Sequence, residues 1–141
     1  MNLEAAREIL IHQSRSKMNG IFPVQAEYQH QMTNPICGDH VQIKFNTKNR
    51  TLSEFGFSTK ACAICAASTA MMATCVKGLT LKSAMTISKK FENALLAPAD
   101  EAWPDDILNL KSFEHLKINQ ARRTCAILPW VVLRAAVKVI T

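Results

Sequence analysis

The chain has 141 residues, of which 48% are hydrophobic, 20% charged and 6% aromatic, and its formal net charge at pH 7 is +6. We expect a single domain over residues 1–141, because this length supports one hydrophobic core but not two. The basic residues are scattered and aromatic residues are few, which argues against nucleic-acid binding. The basic residues have two interpretations: they form a face that attracts an acidic protein partner, or they are ordinary solvated residues.

The cysteine content and the first residues of the chain indicate a reducing compartment. Five cysteines are an odd number, and Glu4, Arg7 and Glu8 interrupt the segment that would be apolar in a secretory signal peptide. We therefore expect no disulfide framework and a cytoplasmic protein. The longest uncharged stretch, Ala61 to Val76, is shorter than a membrane-spanning helix, so we expect no membrane partner.

The predicted elements begin with a helix over Leu3 to His12, where apolar residues recur at helical spacing. Three short extended segments follow, and residues 46–50 are predicted to form the turn between the last two. The predicted strands are Gln25 to Met32, Val41 to Phe45 and Leu52 to Phe57.

The rest of the chain is predicted to be helical. The predicted helices are an Ala-rich one over Ala61 to Val76, an amphipathic one from Thr80, a short one over Ile107 to Leu116 and a C-terminal one over Thr124 to Ile140 with Pro129 in its first turns. The predicted fold class is α+β, with a three-stranded antiparallel sheet and about five helices packed mainly on one face.

Three cysteines and one aspartate are the candidate metal ligands. Cys37 lies in Asn34-Pro35-Ile36-Cys37-Gly38-Asp39, where a glycine permits a left-handed backbone and lets Cys37 and Asp39 converge. Cys62 and Cys125 are each predicted at a helix start, where the partial positive charge favours a thiolate. Three thiolates and a carboxylate suit tetrahedral zinc.

Two further features concern the remaining thiols and the charges beside Cys125. The adjacent pair Arg122-Arg123 is predicted to lower the pKa of the Cys125 thiol. Cys62 and Cys65 have the spacing of a dithiol redox pair, which we keep as an alternative to Cys65 as a packed or accessory thiol. Cys75 is interpreted as buried, and the histidines, none at zinc-finger spacing, as structural or exposed: His12, His30, His40 and His115.

Taken together, these motifs resemble the U-type iron–sulfur assembly family, which comprises IscU, SufU and the N-terminal domain of NifU. The resemblance covers nearly the whole chain. Two features are similar to the SufU branch, because the segment between Cys62 and Cys125 is longer than in IscU, and Thr124 stands where IscU has a histidine ligand. The motifs that carry the resemblance are Asn34-Pro35-x-Cys37-Gly38-Asp39, Cys62-Ala63-Ile64-Cys65-Ala66-Ala67-Ser68-Thr69-Ala70-Met71-Met72, Val76-Lys77-Gly78 and Arg122-x-x-Cys125.

The resemblance implies a SufE/IscU-like fold and a zinc-dependent sulfurtransferase. Cys37 would accept persulfide sulfur from a pyridoxal-phosphate cysteine desulfurase of the SufS or IscS type and pass it to other iron–sulfur assembly proteins. Zinc would be held by Cys37, Asp39, Cys62 and Cys125, with Arg122 as a second catalytic residue near the site. One alternative is a scaffold that assembles a transient 2Fe-2S cluster on the same cysteines, and another is an interaction module with purely structural zinc.

Overall fold

The computed structural model describes residues 1–140 of the chain. Within them it has three strands, four α-helices and one 3₁₀ segment, which confirms the predicted α+β class with five helices. The elements are α1 Leu3–Ser14, β1 Tyr28–Thr33, β2 His40–Lys48, β3 Thr51–Lys60, α2 Ala63–Val76, α3 Leu81–Leu96, the 3₁₀ segment Asp105–Ile118 and α4 Gln120–Ile140.

The sheet is antiparallel with the order β1-β2-β3, so β2 is its central strand. Val41, Ile43 and Phe45 of β2 are fully buried, whereas the residues between them are partly exposed. Side chains of a strand alternate between the two faces, so one face of the sheet lies in the core. α2 contacts β3, and α4 contacts β1 and β2, as expected if the helices cover that face.

All three strands differ from their predicted bounds, and β2 and β3 are longer than predicted. β1 begins at Tyr28 and not at Gln25, because the side chain of Asn46 takes the preceding backbone bonds: it accepts from the N–H of Glu27 and donates to the carbonyl of Gln25, both over 2.7 Å. The turn predicted over residues 46–50 contains only Asn49 and Arg50 between the strand ends. Their φ angles of 53° and 61° are those of a two-residue type I′ hairpin turn.

The last helix begins earlier than predicted. Asn119 Oδ1 accepts the backbone N–H of Arg122 over 3.1 Å, and this capping bond starts α4 at Gln120 in place of Thr124. Pro129 consequently lies in the middle of α4 and not in its first turns. No helix among residues 1–140 combines the length and apolar character needed to cross a bilayer.

The aromatic part of the core centres on Phe91 of α3. Its ring centroid lies 5.1 Å from that of Trp130, 5.4 Å from that of Phe113 and 6.1 Å from that of Trp103. Trp103 anchors its segment, since it is 5% exposed and its Nε1 donates to the carbonyl of Ile107 over 2.8 Å. These contacts hold α3 and the 3₁₀ segment against α4, which carries one of the candidate thiols.

The opposite face of the sheet is crossed by the backbone that precedes β1. A Cβ atom added to Gly56 of β3 would lie 2.4 Å from the carbonyl oxygen of Ile21 and 2.8 Å from the Cα atom of Phe22. On the same face, Lys44 places its Nζ 4.5 Å from the centre of the Phe22 ring. Glycine at position 56 therefore permits this close approach of two backbones.

Replacing Gly56 with alanine is expected to lower the free energy of unfolding by about 1–3 kcal/mol, because the methyl group overlaps backbone atoms that cannot rotate away. Urea unfolding measures this difference. Ser58→Ala is the control, since Ser58 lies two positions along the same strand and on the same face. Equal destabilisation by the two substitutions would contradict the close backbone approach.

Candidate metal centre

Cys37 lies in the loop between β1 and β2, which closes through the backbone and side chain of Asn34. The N–H of Asn34 donates to the carbonyl of Asp39 over 2.8 Å, and its carbonyl accepts from Gly38 N–H over 2.8 Å. Its Oδ1 accepts from the N–H of Ile36 over 2.9 Å. Gly38 has a φ of 77°, the left-handed conformation that the motif predicts. The loop exposes Cys37 to solvent and turns Asp39 inward.

Asp39 is 5% exposed, and its carboxylate accepts hydrogen bonds from Cys62 at the start of α2. Its Oδ1 accepts the backbone N–H of Cys62 over 3.0 Å, and its Oδ2 accepts from the Cys62 thiol over 3.3 Å. Burial by itself raises the pKa of the Asp39 carboxyl, but hydrogen bonds from that N–H and from the thiols of Cys62, Cys125 and Cys37 outweigh it and lower the pKa below the ordinary value. Asp39 is therefore an ionised carboxylate at neutral pH.

Three of the four predicted ligands form one group at this point of the fold, and the fourth, Cys62, is hydrogen-bonded to one of them. The sulfur atoms of Cys37 and Cys125 and a carboxylate oxygen of Asp39 lie within 4.8 Å of one another. Cys62 is the N-cap of α2, and its thiol donates to Asp39 Oδ2 over 3.3 Å, although its sulfur atom does not belong to this group of three. The structure thus brings together residues from a loop and two helices, while their role as ligands stays a prediction.

The chemistry of this donor set fits zinc. Zn–S bonds of about 2.3 Å in a tetrahedron place two sulfur atoms about 3.8 Å apart, a spacing that donors already within 4.8 Å reach by small side-chain movements. The Cys62 thiol donates to the Asp39 carboxylate, and a divalent cation among these donors would replace the thiol protons. Zinc accepts both cysteine sulfur and aspartate oxygen as ligands in one tetrahedral shell.

Cys125 differs from its prediction in two respects. It lies in the second turn of α4 and not at the helix start, so the helix terminus does not act on it directly. The pKa of the Cys125 thiol is raised and not lowered. Burial is the largest cause, and the charges and hydrogen bonds of Cys62 and Asp39 raise the pKa further. Arg123 does not offset this effect, since its guanidinium donates to the carbonyl of Lys117 over 2.7 Å.

Arg122 is exposed at the rim of a groove of about 420 Å³ that also borders Cys62 and Cys125. Arg7 of α1 and His115 of the 3₁₀ segment line the same groove. Partial burial and the nearby charges of Arg7 and Arg122 lower the pKa of His115, so its imidazole is neutral at pH 7. The sequence carries no local signal for Arg7 or His115 at the site, because they are distant from the thiols along the chain.

The other two cysteines lie outside the cluster of donors. Cys65 is fully buried in the core, which confirms that it is a packed thiol, and burial strongly raises its pKa. Its backbone N–H donates to the Cys62 sulfur over 3.5 Å. Cys75 is partly and not fully buried, and its sulfur accepts from Asn109 Nδ2 over 3.0 Å. A buried Cys65 with a raised pKa does not favour the dithiol redox alternative.

Replacing Cys65 with serine is expected to leave the zinc content of the purified protein unchanged, because the Cys65 side chain is enclosed in the core. Stability should fall modestly, since a hydroxyl replaces a thiol in an apolar environment. Metal analysis of the variant tests this, with Cys62→Ser as the control that should lose metal. Loss of a zinc equivalent from the Cys65 variant would make Cys65 a ligand.

Comparison with known proteins places the chain in a family. The model of the NifU-like N-terminal domain matches residues 5–102. The chain belongs to the NifU-like N-terminal domain family. The match includes Cys37, Asp39 and Cys62 and stops before Cys125, which α4 brings close to Cys37 and Asp39 in the folded structure.

Individual relatives agree with this assignment and with the predicted resemblance to SufU. The zinc-dependent sulfurtransferase SufU of Bacillus subtilis (strain 168) is 29% identical over 108 residues, which are 75% of this chain and 71% of that protein. A crystal structure of a putative iron–sulfur cluster assembly scaffold protein for the SUF system, from Fervidobacterium Islandicum AW-1, is 27% identical, with a TM-score of 0.83 over 92% of this chain and 94% of that one. The N-terminal part of a nitrogen-fixing NifU-like protein from Brucella abortus is 17% identical, with a TM-score of 0.81 over 97% and 96% of the two chains, and supports the fold alone.

Proposed function

We propose that this protein is a zinc-binding sulfur carrier, which accepts persulfide sulfur from a pyridoxal-phosphate cysteine desulfurase and delivers it to iron–sulfur cluster assembly in the cytoplasm. The observation that carries the proposal is the convergence of three thiols on the ionised Asp39 carboxylate, with Cys37 on an exposed loop. The name of the Bacillus subtilis relative, a zinc-dependent sulfurtransferase, supports it.

The four converging residues have different tasks in this function. Cys37 is exposed on its loop and accessible to a partner, whereas the buried Asp39 and the partly buried Cys125 would retain the metal together with Cys62. Zinc, when bound, would keep its cysteine ligands deprotonated at neutral pH. A carboxylate exchanges on zinc more readily than a fourth thiolate would, which suits a site that opens and not a closed structural one.

The transfer step is a thiol–persulfide exchange at Cys37. The Cys37 thiolate attacks the terminal sulfur of the donor persulfide, and a new S–S bond forms as the S–S bond of the donor breaks. The electron pair of the broken bond leaves with the donor cysteine, which departs as a thiolate, so the oxidation state of the system is unchanged. Arg122 at the rim of the groove would stabilise the negative charge on sulfur during this exchange.

A cluster scaffold is the second candidate function. The same cysteines would hold a transient 2Fe-2S cluster, and the Fervidobacterium relative is described as a putative scaffold protein. The sequence favours the carrier, because Thr124 stands where IscU has a histidine ligand.

Metal analysis of protein purified without air separates the two functions. The carrier is expected to contain about one zinc ion per chain and no iron. Iron with acid-labile sulfide would establish the scaffold instead. If the protein holds neither metal after growth with both, the proposed ligand set is wrong.

A further inference from the structure

Ser68 connects the two helices that carry Cys62 and Cys125. It is fully buried on α2, and its Oγ donates to the carbonyl of Ala126 on α4 over 2.5 Å. The indole Nε1 of Trp130, also fully buried, donates to the same Oγ over 3.1 Å. The hydroxyl of Ser68 therefore acts as donor and acceptor at once, and it bonds to the residue that directly follows Cys125.

The turn of α4 that carries Cys125 lacks one of its own hydrogen bonds. Proline has no backbone N–H, so Pro129 cannot donate to the carbonyl of Cys125, its ordinary partner four residues earlier. A turn with a missing bond depends more on contacts from outside the helix. The bond from Ser68 to the neighbouring carbonyl of Ala126 is such a contact.

We propose that Ser68 is a positioning residue that sets the separation between the Cys62 and Cys125 thiols. Cys62 caps the N-terminus of α2, and Ser68 lies less than two turns further along the same helix. Because a helix is stiff over this distance, attaching Ser68 to Ala126 also holds Cys62 relative to Cys125. The consequence for zinc rests on the proposed function, whereas the separation of the thiols can be measured without metal.

Two neighbouring residues provide matched controls. Ser88 of α3 is a fully buried serine that also bridges to α4, since it donates to the carbonyl of Trp130 over 3.0 Å and accepts from Arg134 Nη1 over 2.9 Å. It bonds beyond Pro129 and not in the turn of Cys125. Thr69 is fully buried beside Ser68, but it donates within its own helix, to the carbonyl of Cys65 over 2.8 Å.

The first test compares Ser68→Ala with Ser88→Ala and Thr69→Val after zinc loading. Ser68→Ala is expected to release zinc to an excess of chelator about ten times faster than wild type, the effect typical of losing an outer support of a metal site. Replacing zinc with cobalt(II) should also shift the visible absorption bands in this variant. Both controls should keep the wild-type release rate and spectrum, even where urea unfolding shows equal losses of stability.

The second test needs no metal and uses phenylarsine oxide, which bridges two thiols that lie close together. Cys37, Cys65 and Cys75 are replaced by serine, so that only the Cys62 and Cys125 thiols are available. Ser68→Ala is expected to weaken the binding of the arsenical, whereas Ser88→Ala should not. If Ser68→Ala does not fold, Trp130→Phe takes its place, because it removes the donor that orients the Ser68 hydroxyl.

The outcomes distinguish this inference from the proposed function. Unchanged zinc release, cobalt spectrum and arsenical binding in Ser68→Ala, or in Trp130→Phe where it is used, would overturn the positioning role and leave the sulfur carrier standing. A second pair of results is that the wild-type protein binds no zinc while Ser68→Ala still weakens the binding of the arsenical. That pair of results would support the positioning role and reject the carrier. Equal effects of the Ser68 and Ser88 variants would reduce Ser68 to a general contributor to stability.

Discussion

The Cys37→Ala protein is expected to accept no persulfide sulfur, while the free energy of unfolding of the metal-free variant stays close to that of the metal-free wild type. Cys37 is the proposed acceptor, and its side chain is exposed on a loop that closes through Asn34. Removing an exposed side chain leaves no cavity in the core. Incubation with a cysteine desulfurase and radiolabelled cysteine, followed by electrophoresis without reductant, measures the sulfur bound to the protein.

Cys75→Ala is the matched control for that experiment, because Cys75 is a partly buried thiol on the same chain, bonded to Asn109 and not to Asp39. The Cys75→Ala variant should bind as much radiolabelled sulfur as the wild-type protein. If the Cys37→Ala protein still binds radiolabelled sulfur, Cys37 is not the acceptor. Cys62, the other exposed thiol, would then be the next candidate acceptor.

Replacing Asp39 with alanine is expected to weaken zinc binding and to destabilise the fold together. The carboxylate is a proposed ligand, and its Oδ1 also accepts the N–H of Cys62 at the start of α2. Leaving that donor without a partner costs about 1–3 kcal/mol. Chelator competition measures the zinc affinity, and urea unfolding of the metal-free protein measures the stability.

Asp39→Asn separates the two contributions. The amide keeps an oxygen that can accept the Cys62 N–H, but it removes the negative charge that a zinc ligand supplies. This variant should therefore recover most of the stability lost in Asp39→Ala while it still binds zinc weakly. Wild-type zinc affinity in Asp39→Asn would show that the carboxylate is not a ligand.

Much of the fold follows from local patterns in the sequence. The alternation of Val41, Ile43 and Phe45 predicts β2 and its buried face, because side-chain direction in a strand has a period of two. Gly38 predicts the left-handed loop conformation between Cys37 and Asp39, because glycine adopts a positive φ at little cost. Both signals depend on residues close together in the chain.

The boundaries that were predicted wrongly depend on side-chain hydrogen bonds, which the periodicity of apolar residues does not show. β1 begins late because Asn46, from another strand, takes the backbone bonds of Gln25 and Glu27. The periodicity of apolar residues predicts the start of α4 four residues too late, whereas the capping side chain of Asn119 starts the helix at Gln120. The latter signal was present in the sequence, since asparagine is a common N-cap residue.

The sequence by itself determined which donor atoms the protein can offer, because residue type alone fixes whether a side chain ends in a thiol or a carboxylate. These residues are Cys37, Asp39, Cys62 and Cys125. Only the tertiary structure decided their ionisation. Arg122 and Arg123 precede Cys125 in the chain and predict a lowered pKa, yet burial and the charges of Cys62 and Asp39 raise it. Solvation and electrostatic forces act through space, and the groups that exert them here come from a loop and two helices that meet only when the chain is folded.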